Sequence, residues 1–545
     1  MVHSTPDQRE VRLVTPSRNV CVIGAGMSGL VAMKELLDEG HRVTCYERQL
    51  SEGGNFNYPT GAAYDAMYLT ISQYHMAFSS FPPKLGDERR LWKREEYTQY
   101  LHDFAEHFGL LENVRFNTDV VGVRRTEDGA LSVSVKDRET GDVSNGMFDA
   151  IAVCSGSHGV HVPRMPTFDG ADTFNGTIEH SASYLSATPY KGKNVVCVGL
   201  GETGADVTLQ IAEVAATCWL SFRRYPAVIK RYYGPHTGDA YLSRIQTMLP
   251  RHVINRLRLR EAQQILDAPA DRTDPGDRLL AEWTVKCGTP SHQPLQKNDD
   301  FVQSILRGKL RVVPHGIERL GEDSVVFTDG SSVKADVVMC CTGYDEARPP
   351  TGLVEGLRIE NVRDLYKHVF HPDLRERVAF IGWARPVQGG IPACSEMQSR
   401  YFALLLSGKR ALPEGQTLQR LIDEDRDAEE RSFYARRYQG NIVSYTTYMD
   451  GLADLVGCRP RVRDHLVNPR LAYRLVCGAN IPTAYRLSGP HAQPDMAKEV
   501  LMSLPVAHTP KELGSLSYVH LLHRLGRFEE PVAARAESSE VAAKA

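Results

Sequence analysis

The sequence predicts an α/β protein made of two dinucleotide-binding, Rossmann-like domains, the second inserted into a discontinuous first. Two observations carry this. Glycines in G-x-G-x-x-G spacing occur twice, as Gly24, Gly26 and Gly29 and as Gly199, Gly201 and Gly204, each set after an apolar run and before an apolar-periodic helix start. The length of 545 residues is also far above the size at which one core stops growing, so two or three domains are expected.

The first unit opens with an apolar strand over Asn19 to Ile23, followed by a helix to about Glu39 that Gly40 can cap. In such a fingerprint the first glycine permits the tight turn and the second lets backbone approach a pyrophosphate. The third lets the helix pack on the strand. A second strand, Arg42 to Tyr46, ends at Glu47 with Arg48 beside it, about twenty residues past the glycines, where an acid that bonds a ribose hydroxyl belongs. Ser51 to Pro83 carries too many Gly, Pro and aromatic residues for regular structure. A helix is expected from about Lys93 to Phe108, then strands over Val114 to Val123 and Leu131 to Lys136, then an apolar strand from Ala150 that ends near Gly156.

The second unit opens at about Tyr190 with a strand over Val195 to Val198. Its next strand, Thr217 to Phe222, ends without an acid where Glu47 sits in the first unit. Ser221, Arg223 and Arg224 stand there instead, and a cation at this place pairs with a 2′-phosphate, so NADPH is expected over NADH. Tyr225 to Gln293 reads as an insertion on the substrate side, with a helix in Ser243 to Leu266 and a charged Asp/Pro linker, DAPADRTDPGDR.

Between the units, Phe174, Gly176, His180 and Tyr184 fit F-x-G-x-x-x-H-x-x-x-Y. This resembles the signature of class B flavin-dependent monooxygenases in its flavin-containing-monooxygenase form. The resemblance implies FAD in the first domain and NADPH in the second. It implies a flexible N-terminus at 1–18, an FAD-binding part at 19–188, an NADPH-binding domain at 189–325 with the insertion at 225–293, a second FAD-binding part at 326–505, and a partly disordered extension at 506–545.

Further segments resemble the same family. Gly54 and Phe56 fall where relatives often have Gly-Gly-x-Trp, and Ser72 and Gln73 stand in the segment where relatives place an Asn near the flavin. The longer amide of Gln73 is the expected donor there. DVVMCCTGY, with Thr342, Gly343 and Tyr344, resembles the family's alanine-threonine-glycine-tyrosine segment, with Cys341 in place of Ala. FIGWARPVQGGIPACSEMQ resembles its second flavin segment, which makes Gly382 and Gln398 expected flavin contacts and leaves Glu396 as a helix-start carboxylate or a chemical group. Gly156 is expected close to the cofactor, and His180 and Tyr184 are expected to couple the domains during catalysis.

The activity so implied is that of a monooxygenase in which NADPH reduces FAD and oxygen adds to form a C4a-(hydro)peroxyflavin. Three readings remain open: oxygenation of a nucleophilic nitrogen or sulfur, Baeyer–Villiger insertion at a ketone, and an NADPH oxidase or non-catalytic flavoprotein. Tyr184, where the Baeyer–Villiger signature usually has Trp, tilts toward nitrogen or sulfur.

The resemblance implies molecular oxygen and a small-molecule substrate as partners, and composition argues against others. A formal net charge of −3 argues against a nucleic-acid binder. The eleven cysteines include no C-x-x-C pair and no Cys/His cluster at zinc spacing, so no metal and no redox pair are expected. Cys340 and Cys341 should point to opposite faces of a strand. The polar start lacks an apolar signal core, and no run of about eighteen apolar residues occurs, so a cytoplasmic protein without a spanning helix is expected. Homo-oligomerisation is left open.

Overall fold

The computed structural model describes residues 17–85, 90–127, 129–156, 162–288, 295–344, 350, 352–433, 441–525 and 527. β1 (Asn19–Ile23), α1 (Met27–Asp38) and β2 (Arg42–Tyr46) form the first β-α-β unit, with β1 and β2 parallel. The turn requires its glycines. Gly24 has φ +99°, and a Cβ on Gly29 would stand 1.8 Å from the Gly24 carbonyl oxygen.

The 51–83 stretch departs from expectation. It contains β3 (Tyr68–Ser72) and α2 (Gln73–Met76), and β3 pairs with β4 (Leu91–Lys93). Leu69 and Ile71 alternate into the core, a period-two pattern that outweighs the local turn composition. α3 (Arg94–His107) follows within one residue of the expected limits. The segment read as one strand from Val114 to Val123 is two, β5 (Val114–Arg115) and β6 (Thr118–Arg125), because Asn117 turns the chain at φ 55°. β7 (Leu131–Asp137) and β8 (Val143–Phe148) complete an antiparallel meander with β6, and β9 (Ala150–Val153) returns beside β1.

β10 (Thr177–His180), β11 (Asn194–Val198), α4 (Glu202–Val214) and β12 (Thr217–Ser221) build the second unit. β13 (Ala227–Val228), a β14 (Tyr232–Tyr233) and β15 (His236–Thr237) hairpin, α5 (Arg244–Thr247), α6 (Arg251–Asp267) and α7 (Pro275–Cys287) form an excursion. β16 (Leu295–Gln296) closes it by pairing with β13. The helix expected over Ser243 to Leu266 is broken because Pro250 cannot sit inside a helix and instead precedes α6. The expected Asp/Pro linker ends in a helix start. Asp274 accepts the Gly276 and Asp277 N–H groups with Pro275 at the first helical position.

α8 (Asp300–Leu306), β17 (Leu310–Val313), the meander β18 (Ile317–Gly321), β19 (Ser324–Phe327) and β20 (Ser332–Lys334), and β21 (Val337–Cys340) finish this unit. Its sheet runs β10-β21-β11-β12-β17. Strand membership thus extends from Thr177 to Cys340, wider than 189–325 on both sides. Cys340 and Cys341 face opposite sides of that sheet, each in a different apolar cluster.

β22 (Val378–Phe380) joins the first sheet, in the order β22-β9-β1-β2-β5, so the first domain is discontinuous. α9 (Ile391–Leu406) packs on α1, followed by α10 (Gly415–Ser432), α11 (Tyr445–Val456), α12 (Pro469–Cys477), α13 (Pro494–Ser503) and α14 (Pro510–Arg524). α14 lies in the extension expected to be partly disordered. A Thr509–Glu512 capping box starts it, and Val519 packs against Leu249 and Val253. The tail from 528 onward lies outside the described residues. Among the described residues no helix is long and apolar enough to cross a membrane.

Arg486, with no exposed surface, ties these layers together. Its guanidinium donates to Glu35 on α1, to Glu396 on α9 and to the Ser79 hydroxyl, while Ser79 donates N–H and O–H to Glu396 at 2.7 Å each. Burial alone would raise the Glu35 pKa, but the Arg486, Lys34 and Arg400 charges together hold it down at about 2. Arg486→Met would strand two buried carboxylates, and we expect a loss of about 3–5 kcal/mol in urea unfolding of the FAD-loaded protein. Because the folded Glu35 pKa lies below its ordinary value of 4.5, its stabilisation is complete above that value and is lost as pH falls toward 2. Glu35→Gln is expected to flatten that part of the acid limb in melting temperature against pH.

Candidate functional site

The two glycine turns are built alike. A Cβ on Gly24 would meet the Cys154 carbonyl oxygen at 2.8 Å, and one on Gly199, at φ +97°, would meet that of Cys341 at 2.7 Å. In both units the turn therefore presses against the end of the neighbouring strand. Among the described residues nothing stands within 4 Å of a Cβ on Gly201 or Gly156, which leaves room for a ligand to approach the backbone. A Cβ on Gly204 would strike the Gly199 carbonyl, so that glycine serves packing. Neither α1 nor α4 has a side-chain cap, so their first N–H groups are presented to an anion.

Glu47 ends β2 in a buried position, its carboxylate accepting the Ala25 N–H at 2.6 Å and the Gln49 N–H at 2.8 Å, and Arg48 beside it is exposed. An acid on the glycine turn of the first unit and none at the matching place of the second fit one dinucleotide of each kind. There, Ser221 is buried and its hydroxyl donates to the His315 carbonyl at 2.6 Å, whereas Arg223 and Arg224 are exposed. The arginines are the groups able to meet a 2′-phosphate, and Ser221 fixes the strand end that carries them.

The signature residues lie at the seam between the units. A Cβ on Gly176 would stand 2.5 Å from the Asp336 carbonyl oxygen, so this glycine lets β10 lie close to the start of β21. His180 Nδ1 accepts the Ala182 N–H at 3.0 Å, which makes Nε2 the donor to the Gly343 carbonyl at 2.9 Å. Burial lowers its pKa, in keeping with a neutral ring. Tyr344 meets that ring edge-on at 5.5 Å, and the Thr342 hydroxyl donates to the Arg164 carbonyl. Tyr184 is buried between Tyr64 and Tyr190, and its hydroxyl donates to Gln210 at 2.9 Å. Tyr64, from the 51–83 stretch, reaches across to Asp206 on α4 at 2.5 Å, and Asp206 also accepts Arg231 at 2.8 Å and Asn298.

Between the units is a cavity lined by Thr70, Leu91, Arg231, Asp239, Lys297 and Gln388, among others. Gln73 is buried and is not part of its lining. The Gln73 amide oxygen accepts the Arg90 N–H at 2.8 Å, holding the approach to β4. Asp239 organises this wall. One of its oxygens accepts Ser72 N–H at 2.8 Å, Ser72 O–H at 2.6 Å and lies 2.8 Å from His75 Nδ1, while the other accepts the Thr237 hydroxyl at 2.5 Å. Lys297 lies beside Glu202, and burial pulls its pKa down. Asp239, His75 and Lys297 went unnoticed in the sequence because they become neighbours only through the excursion, which has no motif.

Gly54, at φ +56°, stands against Gly26, and Phe56 meets Tyr97 edge-on at 4.7 Å. Gly382 closes on Ser28 of α1, its N–H donating at 2.9 Å to Gln398, whose own amide donates to Tyr448 at 2.7 Å. Gln398 thus supports the Gly382 turn from within α9. A second cavity, which also has Gln388 in its lining, lies between α6 and the start of α11. Among the described residues no group of His, Cys, Asp and Glu is arranged to hold a metal.

Residues 17–510 match the model of the flavin-binding monooxygenase-like family. The chain belongs to that family.

As a member it is an oxidoreductase that uses FAD and NADPH, and the two cradles described above are suited to them. It is similar, at 37% identity over 492 residues, to a 4-hydroxybenzoate brominase (decarboxylating) of Marinomonas mediterranea, covering 90% of this chain and 93% of that one. At 30% identity it is similar to the mouse dimethylaniline monooxygenase [N-oxide-forming] 4, covering 87% and 85%. In fold it is similar to the S-allyl-L-cysteine S-oxygenase of Allium sativum, with a TM-score of 0.60, 23% identity and coverage of 90% and 99%.

A charge-assisted contact contributes about 1.5–3 kcal/mol, so Arg223→Ala with Arg224→Ala is expected to raise the NADPH KM about tenfold or more and leave that for NADH little changed. His180→Ala is expected to retain FAD, read as flavin per chain, while slowing flavin reduction or increasing release of hydrogen peroxide.

Proposed function

We propose that the protein couples NADPH and oxygen to electrophilic halogenation of a hydroxylated aromatic acid. The observation that carries this reading is the step in similarity. Two 4-hydroxybenzoate brominases, from Marinomonas mediterranea and Pseudoalteromonas luteoviolacea, are each 37% identical over nine-tenths of the chain, whereas the mammalian monooxygenases stand at 28–30%. In the segment where relatives place an amide near the flavin, Ser72 is held by Asp239, the Gln73 amide oxygen accepts from Arg90, and Thr70 lines the cavity.

FAD, when bound and reduced by NADPH, would supply the means of activating oxygen, which is the oxidant. Two electrons from NADPH and two from the halide reduce oxygen to two waters. The halogen, now an electrophile, replaces the ring carboxylate, which leaves as carbon dioxide. The chain's own residues position and enclose. Arg223 and Arg224 would hold the 2′-phosphate end of NADPH, and Glu47 would hold the ribose side of FAD. Asp239 locks the excursion over the cavity, and the Tyr64–Asp206–Arg231 network keeps the two units in register.

A second reading, oxygenation of nitrogen or sulfur, is favoured by Tyr184 in the signature and by the 30% identity to an N-oxide-forming relative. Mass spectrometry separates the two. Incubation with NADPH, oxygen, bromide and 4-hydroxybenzoate is expected to give bromophenols with loss of carbon dioxide, and none without bromide. Oxygenated products from an amine and thioether panel, with 4-hydroxybenzoate and bromide unchanged, would replace the first reading by the second.

A further inference from the structure

We propose that the cavity beneath α6 is a carboxylate subsite in which Arg258, with Arg251 and the Tyr445 hydroxyl, receives the acid group of an aromatic substrate. This rests on the reading of the substrate as a hydroxylated aromatic acid, and it names the residues that select the acid.

Among the described residues the lining contains two arginines and no carboxylate. Arg251 and Arg258 stand seven residues apart on α6, a spacing that returns to the same helix face, and both line the cavity. Among the described residues no carboxylate forms an ion pair with Arg258, which is half-buried. Burial lowers its pKa, with Tyr233, Glu261 and Cys287 opposing the shift. Arg251 is pulled down to about 10, by burial first and then by the charge of Arg258. Two like charges facing one partly desolvated cavity repel each other, and an anion beside Arg258 relieves that repulsion. The Arg251 guanidinium lies over the Phe433 ring at 4.1 Å, which limits its freedom and presents its planar fork.

A second observation points to a ligand. Tyr445 is buried, lines the same cavity, and its hydroxyl has no hydrogen-bond partner among the described residues. A buried polar group left unpaired is costly, and a carboxylate oxygen would satisfy it. Leu249, Ile254 and Val387 supply apolar wall for a ring. Gln388 lines both this cavity and the first and directly precedes Gly389 and Gly390, where α9 begins, so the two cavities share a wall.

Calorimetric titration of the FAD-loaded full chain with 4-hydroxybenzoate, 4-hydroxybenzamide and phenol tests this. The wild type is expected to bind the acid about tenfold or more tightly than the amide. Arg258→Gln is expected to bring that ratio near one, Arg258→Lys to retain part of it, and Tyr445→Phe to lower it about threefold. Preparations are matched for FAD content and melting temperature, and should Arg258→Gln fail to fold, Arg258→Lys and Tyr445→Phe still report the ratio. If the variants keep the wild-type ratio while 4-hydroxybenzoate is brominated, the subsite is overturned and the proposed function stands. If the wild type neither prefers the acid nor turns it over, the proposed function and the subsite fall together. Acid preference lost in Arg258→Gln without any bromination supports the subsite and overturns the halogenation reading alone.

Discussion

The fold depends on how one arginine without water is satisfied. Arg486 comes from the C-terminal part of the chain, yet its guanidinium sits between α1, which begins at the first glycine turn, and α9, which begins beside Gln388. A guanidinium with no exposed surface must find its hydrogen bonds within the protein, and here one carboxylate comes from each helix. The two helices that open the cofactor cleft are thereby fixed relative to each other by a residue more than four hundred positions from the first. The Ser79 hydroxyl and N–H join the same cluster, so the stretch that shapes the cleft wall is held as well.

A second buried ion stands on the other side of the cleft. Asp239 belongs to the excursion from the NADPH unit, while Ser72 and His75 belong to the FAD domain. A carboxylate with these partners is a joint between domains, and the Arg244–Asp450 pair, at 2.6 and 2.9 Å, makes another between α5 and α11. Together they lay the excursion across the FAD domain. The wall of the cavity is therefore set by pairing between distant segments and does not follow from the local sequence.

That division explains what was legible. Nucleotide cradles arise from local geometry. Gly24 and Gly29 are required by contacts within a few residues or with one adjacent strand, and Glu47 follows at a fixed spacing, so composition and spacing reveal them. The same holds for the parallel strands, whose apolar runs are short and bounded. Gln73 and Gln398 were read by resemblance as groups facing the flavin. Within the protein their amides meet Arg90, Gly382 and Tyr448, partners that spacing does not reveal, because which way a side chain faces depends on what else is packed there. β3 was hidden by turn-forming neighbours and exists because Leu69 and Ile71 bury and β4 pairs with it from more than twenty residues away.

α6 shows why substrate chemistry was the hardest part to read. Its sequence, RHVINRLRLREAQQILD, looks like a solvated basic helix, and only Val253 and Ala262 are buried in it. Pro250 sets where the helix begins, and that start decides which arginines share a face. Docking through α5 and α14 then turns this face toward Tyr445 and Gln388 and away from water. Charges that would be unremarkable on a free helix become confined opposite an unpaired hydroxyl. Specificity in this architecture can therefore change with the excursion while both nucleotide cradles stay as they are, since the cradles rely on glycines and strand ends that α6 does not touch.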